Sequence, residues 1–203
     1  MKEMFKGLYS LLNLVRSVPH LCLFALSSRR AVIEQDLARW IEYGRLPVKR
    51  RKSFALALLR YPEFRTLFYY RIRGEFPLLL HLLRWLYPPM DTLYIYTPSI
   101  GPGLFIQHGF CTIISANSIG AHCWINQQVT IGYTNETDRP TLEDNVTVYA
   151  GAKVIGKVAV GANSIVGANA VVVRNVPPNC TVVGVPARIV RMNGRRVEPV
   201  PLK

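Results

Sequence analysis

The stretch that decides the fold is residues 148–173, VYAGAKVIGKVAVGANSIVGANAVVV. A valine stands at every sixth position from Val148 to Val172, and small residues fill most of the space between them. An α-helix repeats every 3.6 residues and an ordinary β-strand every two, so neither produces this period. A fixed period indicates stacked repeats, and a hexapeptide period is typical of a parallel β-helix.

The same period extends back towards the middle of the chain. With one seven-residue step and one break, aliphatic residues lead further hexads at Ile100, Ile106, Ile113, Ile119, Ile125, Ile131 and Leu142. Twelve hexads, three to a triangular coil, predict a parallel β-helix of about four coils over residues 98–176. Each leader should point inward and stack on the residue eighteen positions along, because no coil buries its own apolar side chains. A β-sandwich of short strands is the alternative, and six consecutive leaders in register disfavour it.

The first part of the chain has a helical pattern instead. In residues 31–41, apolar side chains recur at helical spacing, with charges on the opposite side. Further helices are predicted over residues 54–60, 63–73 and 77–86. The predicted fold is therefore mainly β, with an α-helical domain over residues 1–90, the β-helix over 98–176, and an exit segment with a tail over 177–203.

Positive charge is concentrated in the helical part. The chain has a formal net charge of +13, and residues 1–97 hold 16 Lys and Arg against 7 Asp and Glu. Such a field favours an anionic partner. The basic run Lys49–Lys52 and the apolar helix over Phe76–Leu86 predict contact with a membrane surface. Their plainer interpretation is a solvated run and a packed helix. Nucleic acid binding is not expected, since no recognised reader motif accompanies the charge.

Cysteine usage and hydropathy bear on the location of the protein. The four cysteines show neither CxxC pairing nor zinc spacing, which favours a reduced, cytoplasmic protein. The apolar stretches 8–26 and 76–90 are interrupted by polar residues or are too short for a membrane-spanning helix. No cleaved signal peptide is expected. The predicted location is the cytoplasm or the inner face of the membrane.

Three stretches of the repeat half carry a resemblance to a known family. They are IGPGLFIQHG at 100–109, VTIGYT at 129–134 with the Asp138-Arg139-Pro140 that follows, and GVPARIV at 184–190. The region from about 98 to 191 resembles the serine acetyltransferases, a branch of the hexapeptide-repeat acyltransferases. That resemblance implies a left-handed β-helix, assembly as a homotrimer, acetyl-CoA as co-substrate and no metal ion.

His108 is the candidate catalytic residue. The resemblance implies that it acts as a general base, and the chemistry agrees, since a neutral hydroxyl is a poor nucleophile until its proton is removed. Histidine changes its charge between about pH 5 and 8, so it can also return the proton to the departing thiolate. As the third residue of its hexad, His108 is expected to face outward. In the related trimers this position faces a neighbouring subunit's cofactor groove. A surface histidine without function is the plain alternative.

The resemblance also implies binding residues. Gln107, Asp138 and Arg139 match positions that hold the acceptor or orient the base. Coenzyme A is expected to contact Gly132, Tyr133, Thr134, Ala150, Ala168, Arg188 and Arg191. Small residues let the backbone approach the pantetheine arm, and arginines pair with phosphates. Each small residue also has a simpler interpretation as part of a tight β-helix corner.

Two departures from the family pattern concern the acceptor. Gln107 stands where serine acetyltransferases place an aspartate, and the loop at 138–140 lacks the family's histidine. The sequence His-Gly-Phe at 108–110 resembles the branch that acetylates sugars. The leading prediction is therefore an O-acetyltransferase acting on a sugar of a surface polysaccharide or its lipid-linked precursor. Serine O-acetyltransferase of cysteine biosynthesis is the alternative enzyme, and a non-catalytic trimeric scaffold is the non-enzyme alternative.

Other ionisable residues of the repeat half could orient His108, act as a second base or bind a metal ion. The carboxylate that orients the His108 ring is left open among Glu136, Asp138 and Asp144. His122, the other histidine of the repeats, is interpreted as a corner residue rather than a second base. A γ-carbonic anhydrase zinc site needs three histidine ligands, and the two histidines of the repeat half are too few for it.

Overall fold

The computed structural model describes residues 15–43, 46, 50–135 and 137–202. The chain separates into two compact units, with the boundary between Met90 and Asp91. The first unit is helical, and the second is a solenoid of short β-strands. None of the helices in the described ranges is long and apolar enough to cross a membrane.

Five helices form the first unit within the described residues. The described part of α1 is 15–26, and the other bounds are Arg30–Tyr43 for α2, Arg50–Arg60 for α3, Pro62–Arg71 for α4 and Pro77–Leu86 for α5. Pro62 and Pro77 each lie in the first turn of a helix, where an N–H has no intrahelical partner to lose. The helices predicted at 31–41, 54–60 and 77–86 are confirmed. The helix predicted over 63–73 ends two residues earlier than expected, at Arg71.

Aromatic side chains fill the core of the helical unit. Trp40, Phe54, Phe64 and Phe68 are all buried. Their rings meet edge to face, with centroids 5.2 Å apart for Phe54 and Phe68 and 5.5 Å apart for Trp40 and Phe64. This arrangement is favourable because the positive edge of one ring meets the negative face of the other. The cluster packs α2, α3 and α4 together.

Two buried polar contacts also join distant parts of the helical unit. Arg71 donates to both carboxylate oxygens of Asp36, at 2.8 and 3.0 Å, from α4 to α2. His20 Nε2 lies 2.8 Å from Tyr69 Oη, and that hydroxyl donates to the carbonyl oxygen of Tyr87 at 2.8 Å. The partners stand 35 and 49 positions apart in the chain, so neither pair follows from local sequence patterns.

Short strands follow one another through the second unit. The first eight are β1 (Leu93–Ile95), β2 (Ser99–Ile100), β3 (Phe105–Ile106), β4 (Thr112–Ile114), β5 (Ser118–Ile119), β6 (Trp124–Ile125), β7 (Thr130–Gly132) and β8 (Thr141–Leu142). The others are β9 (Thr147–Val148), β10 (Lys153–Ile155), β11 (Ala159–Val160), β12 (Ile165–Val166), β13 (Val171–Val172), β14 (Cys180–Val183), β15 (Arg188–Met192) and β16 (Arg195–Pro201).

Strands of successive coils pair in three sheets. The first sheet has the order β1-β4-β7-β10-β13, and the second has β2-β5-β8-β11. The third runs β3-β6-β9-β12-β14 in parallel and is extended by the antiparallel strands β15 and β16. Val148 pairs with Val166 and Val154 with Val172, eighteen positions along in each case. The predicted stacking and the predicted parallel β-helix are confirmed, and the β-sandwich alternative is wrong.

The solenoid has about five coils rather than the predicted four. Strand β1 pairs with β4 and therefore begins a coil before Ile100, the first leader recognised in the sequence. At the other end Val176 forms a parallel bridge with Val160, and β14 pairs with β12. These end segments were missed because they do not continue the series of aliphatic leaders at six-residue intervals.

One residue that was predicted to face inward, Ile113, faces outward instead. Ile113 is 40% exposed, whereas Ile114 is fully buried and pairs with the buried Ile131 of the next coil. Inward-facing side chains alternate along a strand, so a shift of one residue turns a side chain to the opposite face. The inward position of β4 is therefore Ile114, because the preceding corner is longer than the sequence pattern indicates.

Candidate active site

His108 lies at the corner that connects β3 to β4. Eight positions separate the inward-facing Ile106 and Ile114 across this corner, whereas six separate Ile125 and Ile131 across the matching corner of the next coil. The backbone of His108 is left-handed, with φ 61°, and its side chain is exposed. The longer corner therefore presents an imidazole at the surface, in the outward orientation that was predicted.

Main-chain hydrogen bonds define which residues share the edge of the solenoid with His108. The N–H of Gln107 donates to Ile125 O at 2.9 Å, that of Asn126 to Val148 O at 3.0 Å, and that of Tyr149 to Val166 O at 2.9 Å. In the next coil the N–H of Gly167 donates to Val182 O at 2.8 Å. The residues that follow these four donors form one column along the edge between the third and first sheets: His108, Gln127, Ala150 and Ala168. The structure thus brings two predicted cofactor-binding alanines to the edge that carries His108.

Two polar residues beside His108 were not singled out from the sequence. Gln127 follows His108 in the column, one coil along, and Asn126 is the residue before Gln127 in the chain. Gln127 Oε1 and Asn126 Oδ1 are buried and accept no hydrogen bond from any described residue. A buried amide oxygen without a donor is uncommon in a folded protein. The signal that could have revealed Gln127 is the stacking interval of this coil, which is nineteen positions rather than eighteen, as between Ile106 and Ile125.

The predicted residues Gly132, Tyr133 and Thr134 lie at a different edge. Gly132 is the last residue of β7, and Tyr133 and Thr134 follow it at the corner between the first and second sheets. Tyr133 is 50% exposed. The first sheet separates this corner from the edge that carries His108. The structure therefore does not bring these residues to His108 within one chain.

The loop after Thr134 is held by its own side chains. Asp138 accepts hydrogen bonds from Asn135 Nδ2 at 2.9 Å and from Thr134 Oγ1 at 3.4 Å. The guanidinium of Arg139 lies 5.2 Å from the centre of the Tyr133 ring, a cation–π contact. Arg139 Nε is buried and donates to none of the described residues. Asp138 therefore braces the loop, and the cation–π contact holds Arg139 beside Tyr133.

The two predicted arginines of the exit segment occupy different surroundings. Arg188 lines a surface groove of about 320 Å³ together with Val173, Arg174 and Pro186. The groove lies along the edge that carries Gly132, because β7, β10 and β13 are neighbours in the first sheet. Arg191 is exposed in β15 and does not line this groove. Arg174, which was not predicted, gives the groove a second positive charge.

No described carboxylate orients the His108 ring by a hydrogen bond. Asp138 is bonded within its own loop, and Asp144 Oδ1 accepts the N–H of Ala121 at 2.6 Å. Glu136, the third candidate, lies outside the described residues. In the part of the chain that the structure describes, no three His, Cys, Asp or Glu side chains are grouped as metal ligands would be.

His122 occupies a structural corner between the second and third sheets. Its φ is 57°, and the matching corners of later coils hold Asn145 and Asn163 at φ 58° and 59°. Its N–H donates to Pro102 O at 2.8 Å, and its ring packs against Gly103 so closely that a Cβ there would lie 2.4 Å from Nδ1. These contacts support the interpretation of His122 as a corner residue.

The solenoid and its repeats define the class of the protein. Residues 139–174 match the family described as bacterial transferase hexapeptide, six repeats. Together with the parallel β-helix of buried hexad leaders, this match shows that residues 139–174 are repeats of the hexapeptide-transferase type.

Over a longer stretch the chain is similar to serine acetyltransferases. It is 39% identical to the enzyme of Synechococcus elongatus over 153 residues, which is 70% of this chain and 63% of the relative. It is 44% identical to the enzyme of Staphylococcus xylosus over 102 residues, 48% of this chain and 47% of the relative. The chain thus spans less than two thirds of the length of these relatives.

Solved serine acetyltransferases share the fold. The Neisseria gonorrhoeae enzyme in complex with serine is 28% identical, with a TM-score of 0.67 over 83% of this chain and 72% of that one. The soybean apoenzyme is also 28% identical, with a TM-score of 0.68 over 85% of this chain and 73% of that one. Both similarities extend beyond the β-helix, since it makes up little more than half of the chain.

Proposed function

We propose that the protein is an acetyl-CoA-dependent O-acetyltransferase that acetylates the hydroxyl of L-serine, with His108 as general base. The observation that carries this proposal is the exposed His108 imidazole at the long corner of a β-helix similar to those of serine acetyltransferases. The similarity favours serine over the sugar acceptor that the sequence analysis preferred. It gives no support to a role in polysaccharide biosynthesis.

The proposed reaction needs one base and no covalent enzyme intermediate. His108 accepts the hydroxyl proton while the serine oxygen attacks the thioester carbonyl of acetyl-CoA. The carbon–sulfur bond then breaks, and the imidazolium returns the proton to the departing thiolate. The products are O-acetylserine and coenzyme A. An exposed histidine at a surface corner is accessible to both substrates.

Assembly as a homotrimer would join the two edges that one chain keeps apart. In this proposal the column of His108, Ala150 and Ala168 on one protomer faces the edge of Gly132–Thr134 on its neighbour. Small residues along the column leave room for the pantetheine arm. The groove lined by Arg188 and Arg174 carries two positive charges, which suits a phosphate of coenzyme A.

The acceptor would bind beside the long corner. Gln107 precedes His108, and its main chain is anchored to Ile125 of the next coil. From a neighbouring protomer, Arg139 would offer its guanidinium charge to the serine carboxylate, while Asp138 would keep the loop in place. Gln107 and Arg139 therefore contact serine in this proposal, and Asp138 acts through the loop.

A sugar hydroxyl is the second candidate acceptor, and one observation favours it. Gln107 is neutral where serine acetyltransferases place an aspartate, and the 138–140 loop lacks their histidine. A neutral amide is less suited than a carboxylate to the ammonium group of serine, but it can bond to sugar hydroxyls.

Measuring thiol release from acetyl-CoA with each acceptor tests the two candidates. The protein is assayed with L-serine, with a nucleotide-linked sugar and with a lipid-linked sugar under the same conditions. Robust turnover of L-serine is expected, with little turnover of either sugar. Turnover of a sugar without turnover of serine would replace the first candidate by the second. Absence of thiol release with all three would contradict both and favour a non-catalytic scaffold.

A further inference from the structure

The outer side of helix α5 exposes large apolar side chains. Leu78 is 89% exposed, Leu82 54% and Trp85 80%. On the opposite side of the same helix, Leu80 and Leu83 are buried in the core of the helical unit. α5 therefore has one apolar side that packs and a second apolar side that no described residue covers.

The exposed residues form a continuous stripe. At about 100° per residue, Leu78, Leu82 and Trp85 fall within an arc of about 60°, almost opposite to Leu80 and Leu83. A helix that is apolar on all sides is normally covered on all sides. Scattered exposed apolar residues need no explanation, whereas a contiguous stripe marks an interaction surface.

The charge around the stripe identifies the kind of partner. α5 contains no Asp or Glu, and its exposed Arg84 lies in the last turn. Arg16 Nη2 donates to Leu86 O at 2.5 Å, which places a second guanidinium at the same end. The surplus of Lys and Arg over residues 1–97 has the same sign. A second copy would present charges of the same sign, whereas an anionic lipid surface complements both these arginines and the apolar stripe.

We propose that the outer side of α5 docks on an anionic membrane surface. The helix lies in the plane of the interface, with Leu78, Leu82 and Trp85 inserted at the level of the headgroups. Arg16 and Arg84 pair with lipid phosphates. At ten residues α5 is far too short to span a bilayer, but a tryptophan and leucines on one side suit an interfacial helix. Of the predicted basic run, Lys49 and the side chains of residues 50–52 lie outside the described residues, so this surface does not depend on them.

Flotation of the full chain with lipid vesicles tests the proposal. Vesicles made of equal parts of phosphatidylcholine and phosphatidylglycerol are compared with vesicles of phosphatidylcholine alone, at an ionic strength of about 0.15 M and again at about 1 M. The protein is expected to float with the anionic vesicles at the lower salt and to bind the neutral ones much more weakly. High salt should weaken binding strongly. Failure to float with anionic vesicles at the lower salt would overturn the proposal.

Substitutions separate the stripe from a general charge effect. Leu82→Ser and Trp85→Ser are each expected to weaken partitioning about tenfold, because each removes one inserted side chain. The matched control is Tyr96→Ser, which removes an aromatic side chain that is 60% exposed in the β-helix unit and should leave flotation unchanged. Circular dichroism checks that each variant is folded.

Sedimentation velocity of the same variants distinguishes a membrane from a second copy of the chain. If Leu82→Ser and Trp85→Ser reduce the oligomeric mass and leave vesicle binding unchanged, the stripe is a protein interface and the proposal is wrong. Acetyl transfer to a soluble acceptor is measured without vesicles. Its presence or absence tests the proposed function and has no bearing on the docking surface.

Discussion

His108 and His122 both have left-handed backbones, with φ 61° and 57°, yet they lie at different edges of the β-helix. His108 stands at the long corner between the third and first sheets, and His122 at a regular corner between the second and third. Asparagine tolerates this backbone region better than most residues and already fills the later corners of the His122 column. Replacement by asparagine therefore removes either imidazole without straining the backbone.

This relationship gives a matched pair of variants for the general base. His108→Asn is expected to lower kcat for acetyl transfer by about 10²–10⁴, since a positioned base contributes about that much. His122→Asn should leave kcat within about twofold of the wild type, because its role is that of a corner residue. Steady-state thiol release measures both. Comparable losses in the two variants, or activity retained in His108→Asn, would contradict the assignment of His108.

The column that follows His108 can be tested by filling it. Ala168 is exposed three coils beyond His108, so Ala168→Leu adds bulk at the surface without crowding the core. If the pantetheine arm lies along this edge, the KM for acetyl-CoA should rise on the order of tenfold, the effect of a clash of about 1–3 kcal/mol.

Ala162→Leu is the control for this substitution, because Ala162 lies at the corner between the second and third sheets. Its KM for acetyl-CoA should remain close to that of the wild type. A rise in KM of equal size in both variants would indicate a general effect on the solenoid and would count against the proposed groove.

The buried His20 predicts a loss of stability in mild acid. Burial lowers the pKa of His20 from 6.5 to about 4. Above pH 6.5 the residue is neutral in the folded and the unfolded chain, so its contribution is fully present there. Between pH 6.5 and about 4 the unfolded chain takes up a proton that the folded chain does not. The free energy of unfolding should therefore fall by about 3 kcal/mol over this interval.

Chemical unfolding at a series of pH values measures this effect, with His20→Gln as the comparison. The glutamine variant does not titrate here, so its stability should fall less steeply with acid than that of the wild type. The partner hydroxyl adds no titration of its own in this range, because burial raises the pKa of Tyr69 above its ordinary value. Parallel pH profiles for the two proteins would show that His20 is not the group responsible.

The ion pair of Asp36 and Arg71 predicts a large effect of removing one partner. Both side chains are almost completely buried, so Asp36→Asn removes the negative charge that the buried Arg71 guanidinium meets with two hydrogen bonds. The expected loss is about 3–5 kcal/mol in the free energy of unfolding. Denaturant unfolding followed by circular dichroism measures it.

An exposed pair in the same unit provides the control. Arg30 and Glu34 are 3.1 Å apart on the surface of α2, with side chains 56% and 28% exposed. Glu34→Gln should cost less than about 1 kcal/mol, because solvent screens the pair. Equal losses for the two substitutions would mean that burial does not decide the strength of the Asp36 pair.

Much of the fold follows from the sequence because its signal is local and repeated. Val148, Val154 and Val166 are fully buried, as the six-residue period predicts. The helix over Pro77–Leu86 also follows from an apolar run that begins with a proline. The prediction failed at Ile113, where two additional residues in the preceding corner moved the inward position to Ile114.

The site was less predictable than the fold. The outward orientation of His108 followed from its place in a hexad, and its catalytic role stays a prediction. The sequence pattern did not predict that Ala150 and Tyr133 lie at different edges, because this depends on how many corners lie between them. Gln127 was missed for the same reason, since its place beside His108 depends on the length of one corner.

The sequence by itself therefore determined the architecture, since a period of six with buried aliphatic leaders is satisfied by stacked three-sided coils. Only the tertiary structure decided which side chains share an edge, and which buried polar groups meet, as Asp36 meets Arg71. Those outcomes depend on corner lengths and on contacts between distant positions, and a local pattern of residues records neither.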